Sequence, residues 1–267
     1  MKRNLSANFA QSLGMWRSLR RFPGAFSIGD AALQFNRVVL PQRFHHREAG
    51  RQLARRTRIT QVEPGLWRVE VTELGLHFYW PQVPDNNLWF AIEQELETCN
   101  PHYYNTPPVR LGPDSTVLDI GSCEGLFAFR VLKNRLARQV IAFEPFPKMR
   151  GLLARGASEN GVGAQLRIEP TAVGAQSGTA RFSTGAVSDG NSLADAGVPG
   201  GSSTTTASGS IDVDVASLDD YCARTGLKLG PRDLIKIDVE GHEAEVLKGA
   251  DMVFVTAGEG GGTGTGG

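Results

Sequence analysis

Three carboxylates and two glycines are spaced so that they could form a binding site. Asp119 stands near the end of the apolar run Thr116 to Ile120, Glu144 follows the run Gln139 to Phe143, and Asp238 lies in the stretch DLIKIDVEG from Asp233 to Gly241. Gly121 and Gly125 bracket the turn between the first of these runs and an apolar-faced helix. Ligands of open α/β sheets bind at the carboxyl ends of the strands, near the point where strand order reverses. An acid ending the second strand can accept two hydrogen bonds from a ribose diol. The 23 residues from Gly121 to Glu144 fit the roughly 20 expected for that role. Asp119 is placed to orient the turn or a ligand ammonium. The glycine spacing is G-x-x-x-G, which departs from the G-x-G-x-x-G of a dinucleotide site.

A second group, Asp238, Glu240, His242 and Glu243, crowds one strand-to-helix junction. An imidazole is the natural proton acceptor at neutral pH, which favours His242; the strand-end position favours Asp238. The competing reading is that Glu240, His242 and Glu243 cap and charge the helix N-terminus, where acids are favoured. A glycine turn, a ribose acid and a third acidic strand end together suit an adenosyl ligand that carries positive charge. S-adenosylmethionine meets that description.

The elements that must position these groups follow from periodicity. Strands at Thr116, Gln139 and Leu166–Val173 alternate with helices Leu126–Leu136 and Lys148–Asn160, which argues for a parallel, doubly wound sheet. Ala180–Ser183 and Ile211–Val215 read as further strands, Leu218–Arg224 as a helix capped by Ser217, Asp233–Gly241 as a buried strand, and His242–Gly249 as a helix. Upstream, Ala7–Leu19 and Glu48–Arg56 have helical character, Arg58 to Trp80 reads as a small hairpin turning at Glu73-Leu74-Gly75, and Leu88–Cys99 reads as a helix. The loop Asn100–Pro108 carries Tyr103 and Tyr104, which are expected to pack. Gly185–Ser210, rich in Gly, Ser and Thr, has too little apolar content to pack and reads as a mobile loop or lid.

The 267 residues suffice for one large domain or a domain with an extension. Twenty-eight basic residues balance 28 acidic ones, so no global field recruits nucleic acid. Residues 1–60, however, hold twelve Lys and Arg against two acids, which predicts a basic arm on an acidic body. The run Arg43 to Arg47 reads as a solvated face. His45 and His46, if on a strand, would point to opposite sides and could not share a metal. Cys99, Cys123 and Cys222 are scattered and lack metal spacing, so a reduced, cytoplasmic setting is expected, with no metal. No apolar run reaches the roughly 18 residues of a membrane span.

Five pieces in order, DIGSCEG, FEP at 143–145, AVGAQSGTARF at 172–182, SLDDYC at 217–222 and LIKIDVEGHEAEVLKGA at 234–250, resemble FkbM-type methyltransferases over roughly residues 100–250. The resemblance implies an α/β, Rossmann-like class I methyltransferase fold. It also implies S-adenosylmethionine as cofactor and O-methylation of a hydroxyl on a sugar or secondary metabolite. Asp119, Gly121, Ser122, Cys123 and Gly125 would form the cofactor turn, and Glu144 with Pro145 would hold the ribose. Ser122-Cys123 stand where the family often has Ala-Asn, so Cys123 is expected to line the cofactor and not to react. Asp238, His242 and Glu240 are the candidate bases, and the partner is a small-molecule or glycan hydroxyl acceptor.

The last residues, GADMVFVTAGEGGGTGTGG, resemble the glycine-rich phosphate loop of the bacterial tubulin-like cell-division GTPase. The expected organisation is therefore a basic N-terminal α+β extension (1–99), a methyltransferase domain lacking its C-terminal strands (100–251), and a foreign strand with a Gly-rich tail (252–267). On that reading the alternative is a non-catalytic adenosyl- or nucleotide-binding fragment.

Overall fold

The computed structural model of the chain describes residues 42–96, 109–183, 192–193, 210–239 and 241–250. Helix α1 (Gln42–Arg56) leads into an antiparallel sheet, β1 (Thr57–Glu63), β2 (Leu66–Val71) and β3 (Leu76–Trp80), followed by α2 (Asn86–Leu96). The sequence suggested only a hairpin here. β1 lacks the apolar alternation that marks a half-buried strand, because every residue after Thr57 faces solvent. The α1 boundary also corrects the expectation for His45 and His46: they occupy successive helical positions, about 100° apart, and not opposite sides of a strand.

The parallel sheet is built from β4 (Thr116–Ile120), β5 (Gln139–Phe143), β6 (Leu166–Glu169) and β11 (Leu234–Ile237), in the order β11-β4-β5-β6. Helix α3 (Leu126–Lys133) connects β4 to β5, and α4 (Pro147–Glu159) connects β5 to β6. After moving outward from β4 through β5 to β6, the chain returns to place β11 on the other side of β4. Strand order therefore reverses between β4 and β11. All five residues of β4 are buried, as a central strand covered on both faces requires.

Alternate residues of these strands enter two cores. Val117, Val140, Ala142 and Leu166 pack with α3 and α4, and the same core continues into Val71, Phe78, Trp80, Leu88 and Ile92 of the N-terminal elements. Asn160 ties the layers together: its side chain accepts from His77 N at 2.9 Å and donates to His77 O at 2.6 Å. Leu118, Ile120, Ile141 and Phe143 face the other way, onto Leu218, Tyr221 and Val246. Each large apolar side chain buried there contributes about 1.5–3 kcal/mol.

A second small sheet, in the order β7-β10-β8-β9, joins β7 (Ala172–Val173), β8 (Gly178–Ser183), β9 (Ser192–Leu193) and β10 (Ser210–Ala216). The stretch 166–173, expected as one strand, is split: Leu166–Glu169 pairs with β5 and Ala172–Val173 with β10. Pro170 supplies the break, having no N–H for a ladder. Helix α5 (Leu218–Thr225) is capped as expected, with Ser217 accepting from Asp220 N. Helix α6 (Glu243–Lys248) ends the described chain. β11 is shorter and less covered than expected; its residues alternate between buried and half-buried. The helix read at Ala7–Leu19, Tyr103 and Tyr104, nearly all of the Gly185–Ser210 loop, Glu240 and the tail after Ala250 lie outside the described residues.

Candidate active site at the strand-order reversal

The reversal brings the ends of β4 and β11 into backbone contact. Gly121 adopts φ +80°, and a Cβ there would lie 1.9 Å from the carbonyl oxygen of Asp238. Only glycine satisfies both conditions. Asp238 N in turn donates to Ile120 O at 3.0 Å. Gly125, also at φ +80°, starts α3 where a Cβ would strike Leu153 Cδ1 at 2.2 Å. The two glycines thus let the turn press against β11 on one side and α4 on the other.

Four amides of the turn itself are donated within the protein. Gly121 N and Ser122 N donate to Phe143 O at 3.2 and 3.3 Å, Cys123 N donates to Glu144 Oε2 at 3.1 Å, and Gly125 N donates to Ser122 O at 2.8 Å. Ser122 Oγ donates to Asp119 O at 2.7 Å. Three of these amides are turned toward the end of β5, and the fourth, Gly125 N, closes the turn on itself. Cys123 takes φ +48°, and burial raises its thiol well above the usual range. A neutral thiol lines a pocket but is a poor nucleophile.

Glu144 joins the two turns. Besides Cys123 N, its carboxylate accepts from Phe146 N at 2.9 Å. Burial raises its pKa to about 7 against these two hydrogen bonds. An ionised carboxylate has about four acceptor positions, so two backbone donors leave room for a diol. Pro145 follows it, its carbonyl accepting from Arg150 Nη1 at 2.6 Å.

Of the two roles expected for Asp119, orienting the turn or a ligand ammonium, its position fits the first. Its side chain is fully buried, 2.9 Å from Lys236 Nζ on the neighbouring strand. Burial raises its carboxyl above the ordinary range, opposed by Lys236. Asp119 organises the strand ends from beneath. Asp238 is the accessible acid of the pair of strand ends, its side chain 43% exposed. Sequence reasoning missed Lys236, although a charged residue inside the apolar run LIKI signals a buried partner. It also missed the buried ion pair between Glu95 of α2 and Arg130 of α3, which the same signal, an arginine inside LFAFRVL, marks.

Of the other candidates, His242 caps α6, its carbonyl accepting from Glu245 N and Val246 N. Its Nδ1 is buried without a hydrogen-bond partner. Glu243 Oε1 accepts from Val239 N at 3.3 Å and Gly241 N at 3.2 Å, so this acid closes the turn after β11. Among the described residues no helix is long and apolar enough to cross a membrane.

Residues 119–257 match the family model described as the methyltransferase FkbM domain. Over 148 residues the chain is 31% identical to 2-O-methyltransferase NoeI of Sinorhizobium fredii (strain NBRC 101917 / NGR234), an alignment covering 51% of this chain and 58% of that protein. The crystal structure of methyltransferase FkbM from Methylobacillus flagellatus KT is 18% identical, covers 61% of this chain and 39% of that one, and superposes with a TM-score of 0.35, too partial a likeness to carry an argument. The family match runs through residue 257, across the start of the stretch expected to be foreign. The comparisons give no support to the GTPase-loop likeness.

Proposed function

The chain belongs to the FkbM methyltransferase family, which uses S-adenosylmethionine, and from that premise we propose that it methylates a hydroxyl group, with the 2-hydroxyl of a sugar as the first candidate. The observation that carries this reading is the amide pattern of the turn. With the N–H groups of Gly121, Ser122, Cys123 and Gly125 donated internally, those four are not offered to a phosphate. Asp238, exposed at the strand ends, then supplies negative charge there, with Glu144 buried beside the turn.

These residues fit the cofactor. Glu144 would accept the ribose diol, Gly121 lets the turn lie against the Asp238 carbonyl, and Ser122, Cys123, Gly125 and Pro145 would shape the turn around the ligand. Bound S-adenosylmethionine supplies an electrophilic methyl group on a sulfonium. Transfer of that methyl to a hydroxyl would require a group of this chain to take up the hydroxyl proton. Asp238, exposed at the crevice, is the proposed acceptor of that proton, a role worth about 10²–10⁴-fold in rate. His242 and Glu240 are the secondary candidates. The name of the relative supports an oxygen acceptor at position 2, although the chain spans just over half of that protein's length.

The test is transfer of labelled methyl from S-adenosylmethionine to a panel of methyl glycosides, each paired with its 2-deoxy counterpart. Label on the glycosides with a free 2-hydroxyl and none on the 2-deoxy partners is expected. Equal label on the 2-deoxy partners would refute the 2-hydroxyl acceptor.

A further inference from the structure

We propose that Lys236 is the positioning residue of this site, fixing the cofactor turn and the proton-accepting acid relative to each other from one buried ammonium. Its Nζ lies 2.9 Å from Asp119 Oδ1, 3.0 Å from the carbonyl oxygen of Gly121 and 3.7 Å from Asp238 Oδ2. The contact to the Gly121 carbonyl is a hydrogen bond and those to the two carboxylates are ion pairs, and the three oxygens belong to the three parts that must agree. Asp119 lies in β4, Gly121 opens the cofactor turn, and Asp238 directly follows β11.

The sequence places Lys236 there by register. In the parallel pairing of β11 with β4, Lys236 stands opposite Asp119. Both side chains therefore fall on the same side of the sheet, beneath the strand ends. Phe127 of α3 covers the ammonium, its ring centroid 5.7 Å away, and the lysine is 6% exposed. Burying an ammonium costs several kcal/mol unless it is paired, so an apolar side chain would fill this space at lower cost. What an apolar residue cannot supply is a donor to the turn carbonyl and a cation beside Asp238.

Two consequences follow for the chemistry. The hydrogen bond to Gly121 O draws that carbonyl down toward the sheet at the point where the cofactor approaches the main chain. The Asp119–Lys236 pair is neutral in sum, which leaves Asp238 as the charge that faces the crevice, with a cation behind it to hold its orientation. This second consequence rests on the reading of Asp238 as the base; the first does not.

The experiment compares Lys236→Met combined with Asp119→Asn, which removes both buried charges together, with Lys236→Arg alone. Calorimetric titration with S-adenosylmethionine reads the turn, and single-turnover methyl transfer to the methyl glycosides reads Asp238. In the double variant, provided it melts cooperatively, affinity is expected to fall about tenfold, the scale of a lost charge-assisted hydrogen bond. Single-turnover rate should fall further than saturating cofactor can restore. Lys236→Arg keeps a cation and is expected to recover most of the affinity. Wild-type affinity in the folded double variant overturns the proposal. So does an arginine variant no better than the double one, since Lys236 would then only fill space. If Asp238→Asn keeps its turnover, the base assignment fails, while the affinity arm still decides the contact to the turn.

Discussion

The two strand ends that meet at the reversal are built in opposite ways. The β4 end is locked: Asp119 is fully buried, the turn amides donate inward, and both glycines are wedged against neighbours. The β11 end is open: its strand is only partly covered, Asp238 is substantially exposed, and Gly241 turns at φ +92° into a six-residue helix. Preorganisation belongs where a cofactor common to a whole family must be held, because ordering costs are then met by the fold and not by the ligand. Openness belongs where an acceptor of variable shape must enter. Under the proposed function, the first end would hold the cofactor and the second would receive the acceptor.

The largest break in this comparison comes from Gly121→Ala. An alanine Cβ has no room beside the Asp238 carbonyl and would hold an unfavourable left-handed φ, so the strand ends must separate. A loss of about 3 kcal/mol or more of stability is expected, together with loss of measurable S-adenosylmethionine binding, read by thermal melts and titration. A variant that melts and binds like the parent would show that the contact does not lock the β4 end.

Much of the locked end was legible in the sequence, because glycines and strand-end acids are set by backbone geometry, which short patterns report. Gly121, Gly125 and Glu144 were placed by spacing alone, and β5 was read to its observed ends, Gln139–Phe143. What could not be read was how polar groups pair across elements. Asp119 lies 117 residues from Lys236, and Glu95 lies 35 residues from Arg130. Nothing local distinguishes an acid that faces a ligand from one that faces a lysine. The edge strand β1 was obscured for a different reason: it buries only Thr57 and so lacks a periodic signal.

A smaller effect sharpens the comparison through pH. Glu144 is buried and its pKa is raised to about 7, above its value in an unfolded chain. Between the ordinary carboxylate range and pH 7 the folded protein keeps a proton that the unfolded chain has released. Its contribution to stability is therefore full below that range and is lost as pH rises toward 7, by up to about 1.4 kcal/mol per unit. Cofactor binding should run the other way, since the ionised carboxylate is the better acceptor for a diol. Titrations of S-adenosylmethionine at pH 6 and pH 8 should show tighter binding at the higher pH in the parent and little difference in Glu144→Gln. Comparing the two proteins isolates Glu144 from the other buried acids, Asp119 and Glu95, whose carboxyls burial also raises. An equal pH response in both would remove Glu144 from the cofactor site.

The division of labour between the two ends is tested most directly by measuring S-adenosylmethionine affinity and single-turnover methyl transfer side by side in Asp238→Asn and Glu144→Ala. Asp238→Asn is expected to bind cofactor within about threefold of the parent while transfer falls about 10²-fold or more. Glu144→Ala should lose affinity first, with transfer recovering as cofactor is raised. Undiminished transfer in Asp238→Asn, or a common loss of affinity in both variants, would contradict that division of labour.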